Sequence, residues 1–527
     1  MNTRSGTALP ALAFVLGLAA FLLYWPSLHS GFVYDADIQI KSDSYIHTPA
    51  HFADVVTLRV LGQDVLDGTR PAHVFLLMID SLLWGRQPLG YHLTSNLLHA
   101  INVAFLFLLL ARLGAQAAPT LSRGRVLLAA SLGALLFAVH PVLTEAVSEV
   151  SDREDPLAAF FILLPLLLAE NFPARTAVRT FLRGTVCVVS LVLAAASKET
   201  GFAGPFLLAL YAWLFRRESP RKAWIVLLAA AFVAVGAFGA ARFGLQPAVS
   251  RIFTEKPGYI GGSLGQVFLL QPRVWALLLA NAAWPLHLSA DYTPQNLAWI
   301  TLPAAIAALV FFVGAQFLLA MKSRLALLGA VIFWLGLAPV SNFIPIFRWA
   351  ADRFLYLPMI GLAAMLCSAL LLASGRKLFT ALCMIALAPV LALVPLAWQR
   401  QAVFANSLNL WTDTIKKSPY SATAADNLGY AQIDDGDYQA SLNSFERALQ
   451  ITHAVHADAW AGAAIALDKL NRAADAEIAM GKAIANDPQY ANPKALVEFL
   501  VADQASADAI QKILDRMPAA AKPSAPP

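Results

Sequence analysis

Along the first 400 positions, apolar residues form long uninterrupted runs, and charge is confined to the gaps between them. A helix needs about 20 apolar residues to cross a bilayer core. Runs of that kind lie near 8–26, 92–112, 125–141, 156–170, 177–197, 200–215, 223–244, 299–321, 325–345, 354–374 and 378–397, and they predict eleven spanning helices. Those near 156–170 and 200–215 are short. Two further stretches, 73–84 and 267–284, are short or broken by Pro and Arg, so they are expected to lie as helices along the interface. The first run follows MNTRSG as a signal peptide would. WPSLHSGF after it offers no small-x-small cleavage site, so the first helix is expected to be retained.

Beyond Arg400 the pattern becomes polar and Ala-rich. Leu428-Gly429, Tyr438, Leu442, Phe445, Ala448 and Leu449 occupy the positions of a tetratricopeptide repeat. A second copy follows with Trp460, Ala463, Leu467, Ala476, Ala483, Ile484 and Pro488. Two such repeats are short of the ~3 that a free-standing solenoid needs. The tail is therefore expected to lean on the apolar part or on extra helices at 406–418 and 493–515. The division expected is an all-α membrane domain over 1–400, a helical-repeat domain over 401–515 and an unstructured end over 516–527.

Composition agrees with this division. With 58% hydrophobic and 13% charged residues, the chain departs from soluble proteins, which are roughly half apolar and about a quarter charged. A soluble enzyme, a disordered chain and a disulfide scaffold are excluded. Cys187, Cys367 and Cys383 sit in apolar runs without metal or disulfide spacing. The net charge of +5 is topological rather than a nucleic-acid footprint. Arg112, Arg123, Arg125, Arg175, Arg179, Arg183, Arg216, Arg217, Arg221, Lys222, Lys322, Arg324, Arg376 and Lys377 fall in five short gaps, expected in the cytoplasm. The alternate gaps are acidic: 31–70 holds six Asp against three Lys/Arg, and 142–155 holds five Asp/Glu against Arg153. That parity places the N-terminus inside and everything after Arg400 outside.

Ionisable residues at the outer ends of the spans are the candidate chemistry, because charge near a bilayer core is costly and tends to line a wet site. FVYDADIQI carries Asp35 and Asp37. TEAVSEVSDREDP carries Glu145, Glu149 and Asp152 on one helical face, followed by Arg153 and Asp155. SKETG carries Lys198 and Glu199, and FRWAADRFLYLP carries Arg348, Asp352, Arg353 and Tyr356. Each patch alone reads as a solvated loop, a helix cap or a structural ion pair. Four of them facing one compartment fit a substrate with its tail in the bilayer and a phosphate at headgroup level. Lys or Arg would neutralise that phosphate as the glycosidic bond breaks, and a carboxylate would accept the proton of an attacking hydroxyl. Phosphate leaves without a second acid, unlike the paired carboxylates of glycoside hydrolysis. One base with a cationic clamp implies a single inverting displacement.

The stretches FVYDADIQI, RPAHVFLLMIDSLLWGRQPLGYHLTSNLLHA, LLFAVHPVLTEAVSEVSDREDPLAA, SKETG, WPLHLSADYTP and SNFIPIFRWAADRFLYLP, followed by the repeats, resemble the TMTC (transmembrane and tetratricopeptide repeat-containing) O-mannosyltransferases and their bacterial relatives in the GT-C glycosyltransferase superfamily. That resemblance implies a polytopic GT-C fold with about 11 spans, an extracytoplasmic active site and a polyprenyl-phosphate monosaccharide as donor. It also implies an acceptor hydroxyl, favoured as Ser/Thr of a protein, delivered with help from the repeats. Asp35 matches the first of two acidic residues in the family's outer loop and is expected to be the base. Asp37 stands one residue later than the family's adjacent Asp. Lys198, Arg353 and Arg153 match as phosphate-side cations. Glu145, Asp155, Glu199, His140, Tyr356 and Asp291 are the remaining substrate-side candidates.

No cofactor is expected, and the chemistry implied needs no metal, although the Asp pair leaves a divalent cation open. His47 and His51 come nearest to a ligand spacing. The bilayer is an obligate partner and nucleic acid is not. With only two repeats, a bacterial inner membrane is favoured over the endoplasmic reticulum. Two alternatives remain at this level, a transferase modifying a glycolipid or envelope polysaccharide, and a transporter or scaffold whose repeats recruit partners. A transporter would show charged or Pro/Gly-broken segments near mid-span.

Overall fold

The computed structural model describes residues 4–245, 258–498 and 503–517. Among these the secondary structure is helical throughout, without a strand. Every expected span is a helix: α1 (Arg4–Leu23), α3 (Pro88–Ala117), α4 (Arg123–Val139), α5 (Glu154–Leu168), α6 (Ala177–Ser197), α7 (Gly204–Phe215), α8 (Arg221–Leu245), α10 (Leu302–Lys322), α11 (Arg324–Leu337), α12 (Tyr356–Leu371) and α13 (Arg376–Val403). Between them lie α2 (Pro71–Trp84) and α9 (Leu264–Ala283), the two stretches assigned to the interface.

Six helices among the described residues are long and apolar enough to cross a bilayer unaided: α3, α6, α8, α10, the segment Asp352–Leu371 that contains α12, and α13. A seventh arises if α4 and the Pro141–Ser148 segment, bent by 51°, act as one. The 12-residue α7 rises only about 18 Å, so it cannot cross alone. The chain is an integral membrane protein. Its apolar belt is visible on α10, where Val310, Phe311, Phe317 and Leu318 are exposed with no protein over them.

The charge pattern resolves into two ends. At one end, Arg112 pairs with Glu170 at 2.8 Å, and Arg125 donates to the Ala373 carbonyl at 2.6 Å. Arg324 donates to the Leu214 and Gln116 carbonyls at 2.9 and 3.2 Å. Basic gaps far apart in sequence thus close over the C-terminal ends of neighbouring helices. The acidic gaps meet at the opposite end.

The tail continues from α13 into α14 (Ser407–Lys417), α15 (Ala422–Asp435), α16 (Tyr438–Ile451), α17 (Ala457–Lys469), α18 (Ala473–Asn486) and, after a short turn of helix at Pro493–Glu498, α19 (Gln504–Arg516). Side chains cap most of these helices. Asn406, Ser421 and Asp437 each accept from a backbone N–H three residues on, offsetting donors that a helix start leaves unpaired. The hairpins α15–α16 and α17–α18 pack together, α14 against α15, and α19 against α17 and α18. Of the expected unstructured end, residues 518–527 lie outside the described residues.

Phe445, fully buried, is the wedge between the two hairpins. A Cβ on Gly429 would sit 2.7 Å from its ring, and one on Gly462 2.2 Å. Only glycine lets both helices close on that ring, so overpacking is the expected fault of any larger residue. Gly462→Ala is expected to destabilise the tail by about 1–3 kcal/mol, with partial recovery by Phe445→Leu in the same chain. Thermal unfolding of the full-length protein in detergent checks both.

Candidate active site

The acidic end is built from helix termini. After α4 the chain bends at Pro141, and residues 141–153 run as short helical turns before α5 begins at Glu154. This route carries Glu145, Glu149 and Asp152 under the cap of the bundle, and the first turn of α5 adds Glu154 and Asp155. Lys198 ends α6 in extended conformation (φ −158°, ψ 160°), which turns its side chain away from the helix face. The next turn doubles back so tightly that a Cβ on Gly201 would lie 2.0 Å from the Ala194 carbonyl oxygen. The glycine of SKETG is therefore a steric requirement for placing the lysine.

Buried charges demand partners, and here they form a continuous network. The Arg353 guanidinium pairs with Glu145 Oε1 at 2.5 Å and Asp152 Oδ2 at 2.9 Å, while its backbone N–H donates to Glu145 Oε2 at 3.1 Å. Lys198 pairs with Glu154 at 2.9 Å and with Asp155. Arg70, at the head of α2, pairs with Asp67 at 2.8 Å, Glu154 at 2.7 Å and Glu199 at 3.2 Å. Arg242 of α8 completes the set through Glu199. Accessibility differs along the network: the Lys198 side chain is 3% exposed, that of Arg353 10% and that of Arg70 25%. The two arginines are thus more open to solvent than the lysine.

Asp35 stands apart from this pairing. Its side chain is exposed, and no hydrogen bond or ion pair engages it among the described residues. Protein nevertheless hems it in. Desolvation raises it to about 6 from the usual carboxylate value, opposed by the positive charge of Arg353. The preceding residue, Tyr34, has a left-handed backbone (φ 56°), uncommon for a bulky residue. Asp37 faces elsewhere, pairing with Lys41 and accepting from Ser407 Oγ at 3.1 Å. Glu149 is buried near both. Its Oε1 accepts from the Ser151 hydroxyl and N–H at 2.5 and 3.0 Å, and its Oε2 is unpaired. Burial raises it to about 8 from the usual carboxylate value.

The other candidates separate. Glu145, Asp155 and Glu199 join the network through Arg353, Lys198 and the Arg70–Arg242 pair. The Arg70 and Arg242 charges hold Glu199 well below the usual range against the effect of burial. Asp291 pairs with Arg348 and accepts from Ser421 Oγ of the tail at 2.5 Å; burial raises it to about 6. Arg153 is fully buried and pairs with Asp80 of α2, on a different side of its chain from Glu154 and Asp155. His140 caps the turn after α4, with Nδ1 accepting from the Val142 N–H at 3.3 Å and Nε2 3.0 Å from the Ala282 carbonyl oxygen. Tyr356 is buried between helices, its hydroxyl 2.8 Å from His99 Nδ1 and accepting from Asn102 at 3.2 Å. His47 lies 2.5 Å from Ser81 Oγ, and His51 stacks on Tyr45 with centroids 4.0 Å apart. Among the described residues no three His, Cys, Asp or Glu side chains gather as a ligand set.

Sequence reasoning missed Arg70, Asp67 and Arg242. The one local signal was Arg70 itself, an arginine directly before the proline that opens an apolar helix and closing an acidic loop.

Over 514 residues the chain is 25% identical to the protein O-mannosyl-transferase TMTC3 of Mus musculus, covering 86% of this chain and 52% of that protein. That similarity extends over most of this chain. It is 25% identical over 488 residues to the Homo sapiens TMTC3, and 22% over 447 residues to the protein O-mannosyl-transferase F38B6.6 of Caenorhabditis elegans, covering 81% of this chain and 61% of that one. The chain spans about half the length of the curated TMTC3 relatives it matches. No family model matches it. Among solved structures, ArnT from Cupriavidus metallidurans bound to undecaprenyl phosphate aligns over 96% of this chain and 88% of that chain, with 15% identity and a TM-score of 0.40.

The placement of Arg153 gives a direct test. Losing one partner of a buried pair costs about 3–5 kcal/mol, whereas replacing both with apolar groups is often close to neutral. Asp80→Ala is thus expected to lower the melting temperature of the purified protein sharply, and Asp80→Leu with Arg153→Met much less. Equal losses in the two variants would show that Arg153 does more than neutralise Asp80.

Proposed function

We propose that the protein is a GT-C-type membrane glycosyltransferase that moves a monosaccharide from a polyprenyl phosphate to an extracytoplasmic hydroxyl, favoured as Ser or Thr of a protein. The carrying observation is Asp35: an accessible carboxylate, unpartnered among the described residues, beside the Arg353 charge and at the end of an apolar bundle where a lipid phosphate would lie. The O-mannosyl-transferase names of the relatives support the same reaction class. The basic gaps gathered at the far end favour the cytoplasm for that end by the positive-inside bias. The charged cluster and the tail then face the periplasm of a bacterial inner membrane.

In this reading the donor phosphate approaches Arg353 and Arg70, the more accessible cations, and takes up charge-assisted hydrogen bonds now made to carboxylates. Lys198, enclosed between Glu154 and Asp155, supplies positive potential from behind. The acceptor oxygen attacks the anomeric carbon from the face opposite the phosphate. As the new C–O bond forms, the C–O bond to phosphate breaks and polyprenyl phosphate leaves with the electron pair. The hydroxyl proton passes to Asp35, and the anomeric configuration inverts. Asp37, tied to Lys41 and Ser407, holds the loop. The two repeats of the tail present the acceptor.

A base must be ionised to accept a proton. With Asp35 raised to about 6, kcat is expected to climb as pH rises through that value and to level off above it. Asp35→Asn is expected to lower transfer by about 10²–10⁴-fold without weakening donor binding, and to abolish that limb of the pH profile. Transfer rates from polyprenyl-phosphate mannose to a Ser/Thr-rich peptide, measured between pH 5 and 8, check both. Undiminished transfer by Asp35→Asn would remove it from the chemistry.

A further inference from the structure

We infer that α14, the first helix of the tail, is a positioning element of the active site, with Trp411 as the residue that sets the Asp35 loop. The inference rests on the proposed role of Asp35 and extends it to the helix that joins the membrane domain to the repeats.

The loop is tied to the tail on both sides of Asp35. Before it, the Gly31 N–H donates to the Ala405 carbonyl at 2.9 Å. After it, Ser407 Oγ donates to Asp37 Oδ2 at 3.1 Å. Between these ties, the Tyr34 ring meets Trp411 edge-on, with centroids 5.2 Å apart and planes at 68°. Trp411 is among the largest fully buried side chains. The opposite support of Tyr34 is the Arg348 guanidinium, 4.8 Å from the ring centroid. Arg348 is held by Asp291, which also accepts the hydroxyl of Ser421, the residue capping α15.

A left-handed conformation at a residue as bulky as tyrosine persists only where its surroundings over-determine it. Here the surroundings are Trp411 on one side and Arg348 on the other. Released from them, Tyr34 would return to the extended or right-handed region, and the carboxylate of the next residue would swing with it.

The same helix reaches the cationic half of the site. Asp413 of α14 pairs with Arg400 at 3.1 Å and with Lys417 at 2.8 Å. Arg400 lies 3.5 Å from Asp352, the neighbour of Arg353. Asp352 in turn accepts from the Tyr292 hydroxyl at 2.7 Å and from Asn281 at 3.0 Å. One helix thereby touches the mounting of the base and the mounting of the phosphate cation.

The test uses the full-length chain in four forms, Trp411→Ala, Trp411→Phe, Asp35→Asn and the Trp411→Ala/Asp35→Asn double variant. Two quantities are read: transfer from polyprenyl-phosphate mannose to a Ser/Thr-rich peptide, and amide hydrogen exchange over residues 31–42. Trp411→Ala is expected to lower kcat by about 10²-fold, the scale of a 1 Å misplacement, with the donor KM unchanged. Trp411→Phe should recover most of it. The double variant should be no slower than Asp35→Asn, since a residue acting through another loses its effect when the other is gone. Exchange over 31–42 should quicken in Trp411→Ala and not in Trp411→Phe. Normal kcat in Trp411→Ala, losses that multiply in the double variant, or unchanged exchange would each overturn the inference. Undiminished transfer by Asp35→Asn would instead sink the reading of the base, while the exchange arm still decides whether α14 orders the loop. Should Trp411→Ala fail to fold, Ser407→Ala removes only the tie to Asp37, and faster exchange over 36–42 is then the result the inference requires.

Discussion

Charge buried beside a bilayer has to be paired, and the pairing of Arg353 with Glu145 and Asp152 is the constraint around which the acidic end is organised. The three residues come from two segments 201 and 208 positions apart in the chain. Holding them together fixes where α12 begins relative to the bent turns after α4. Glu154, the first residue of α5, then falls beside Arg70 and Lys198, and Glu199 falls between Arg70 and Arg242. Each of these cations is shared or bridged, so removing one leaves carboxylates facing one another where water cannot screen them.

The same constraint explains why the site is built from helix ends and tight turns rather than from helix faces. A carboxylate on a lipid-facing surface has no partner and no solvent. One at a helix terminus is close to water and to neighbouring loops. The short α5 and α7 follow from this requirement. Their chains stop early because residues 141–153 and 198–203 must run across the end of the bundle carrying charge, and Gly201 permits the sharper of these turns.

The tail is more than an appendage to this arrangement. Its contacts reach the Asp35 loop through Trp411, Ser407 and Ala405, and the Arg348–Asp291 pair through Ser421. In the proposed reading, ordering the Asp35 loop with the domain that presents the acceptor links two requirements in one interface.

Much of the architecture was legible in the sequence. Backbone groups in a bilayer must be satisfied within their own segment, so a long apolar run has no alternative to helix, and all eleven runs are helices. The sorting of basic and acidic gaps into two ends was legible for the same kind of reason, since alternating gaps must alternate sides. Gly429 and Phe445 could be read as hairpin packing because close approach leaves so few residue choices. What the sequence left open was which charges meet. One residue along a helix turns a side chain through about 100°, so Arg153 points to Asp80 while Glu154 and Asp155 point to Lys198, although all three are neighbours in the chain. Arg70 and Arg242 enter the network only because α2 and α8 end beside Glu199, and His140 and Tyr356 are taken up by helix packing. Runs of apolar residues determined the elements locally; the meeting of charges depended on how helix ends align, which is a property of the packed bundle alone.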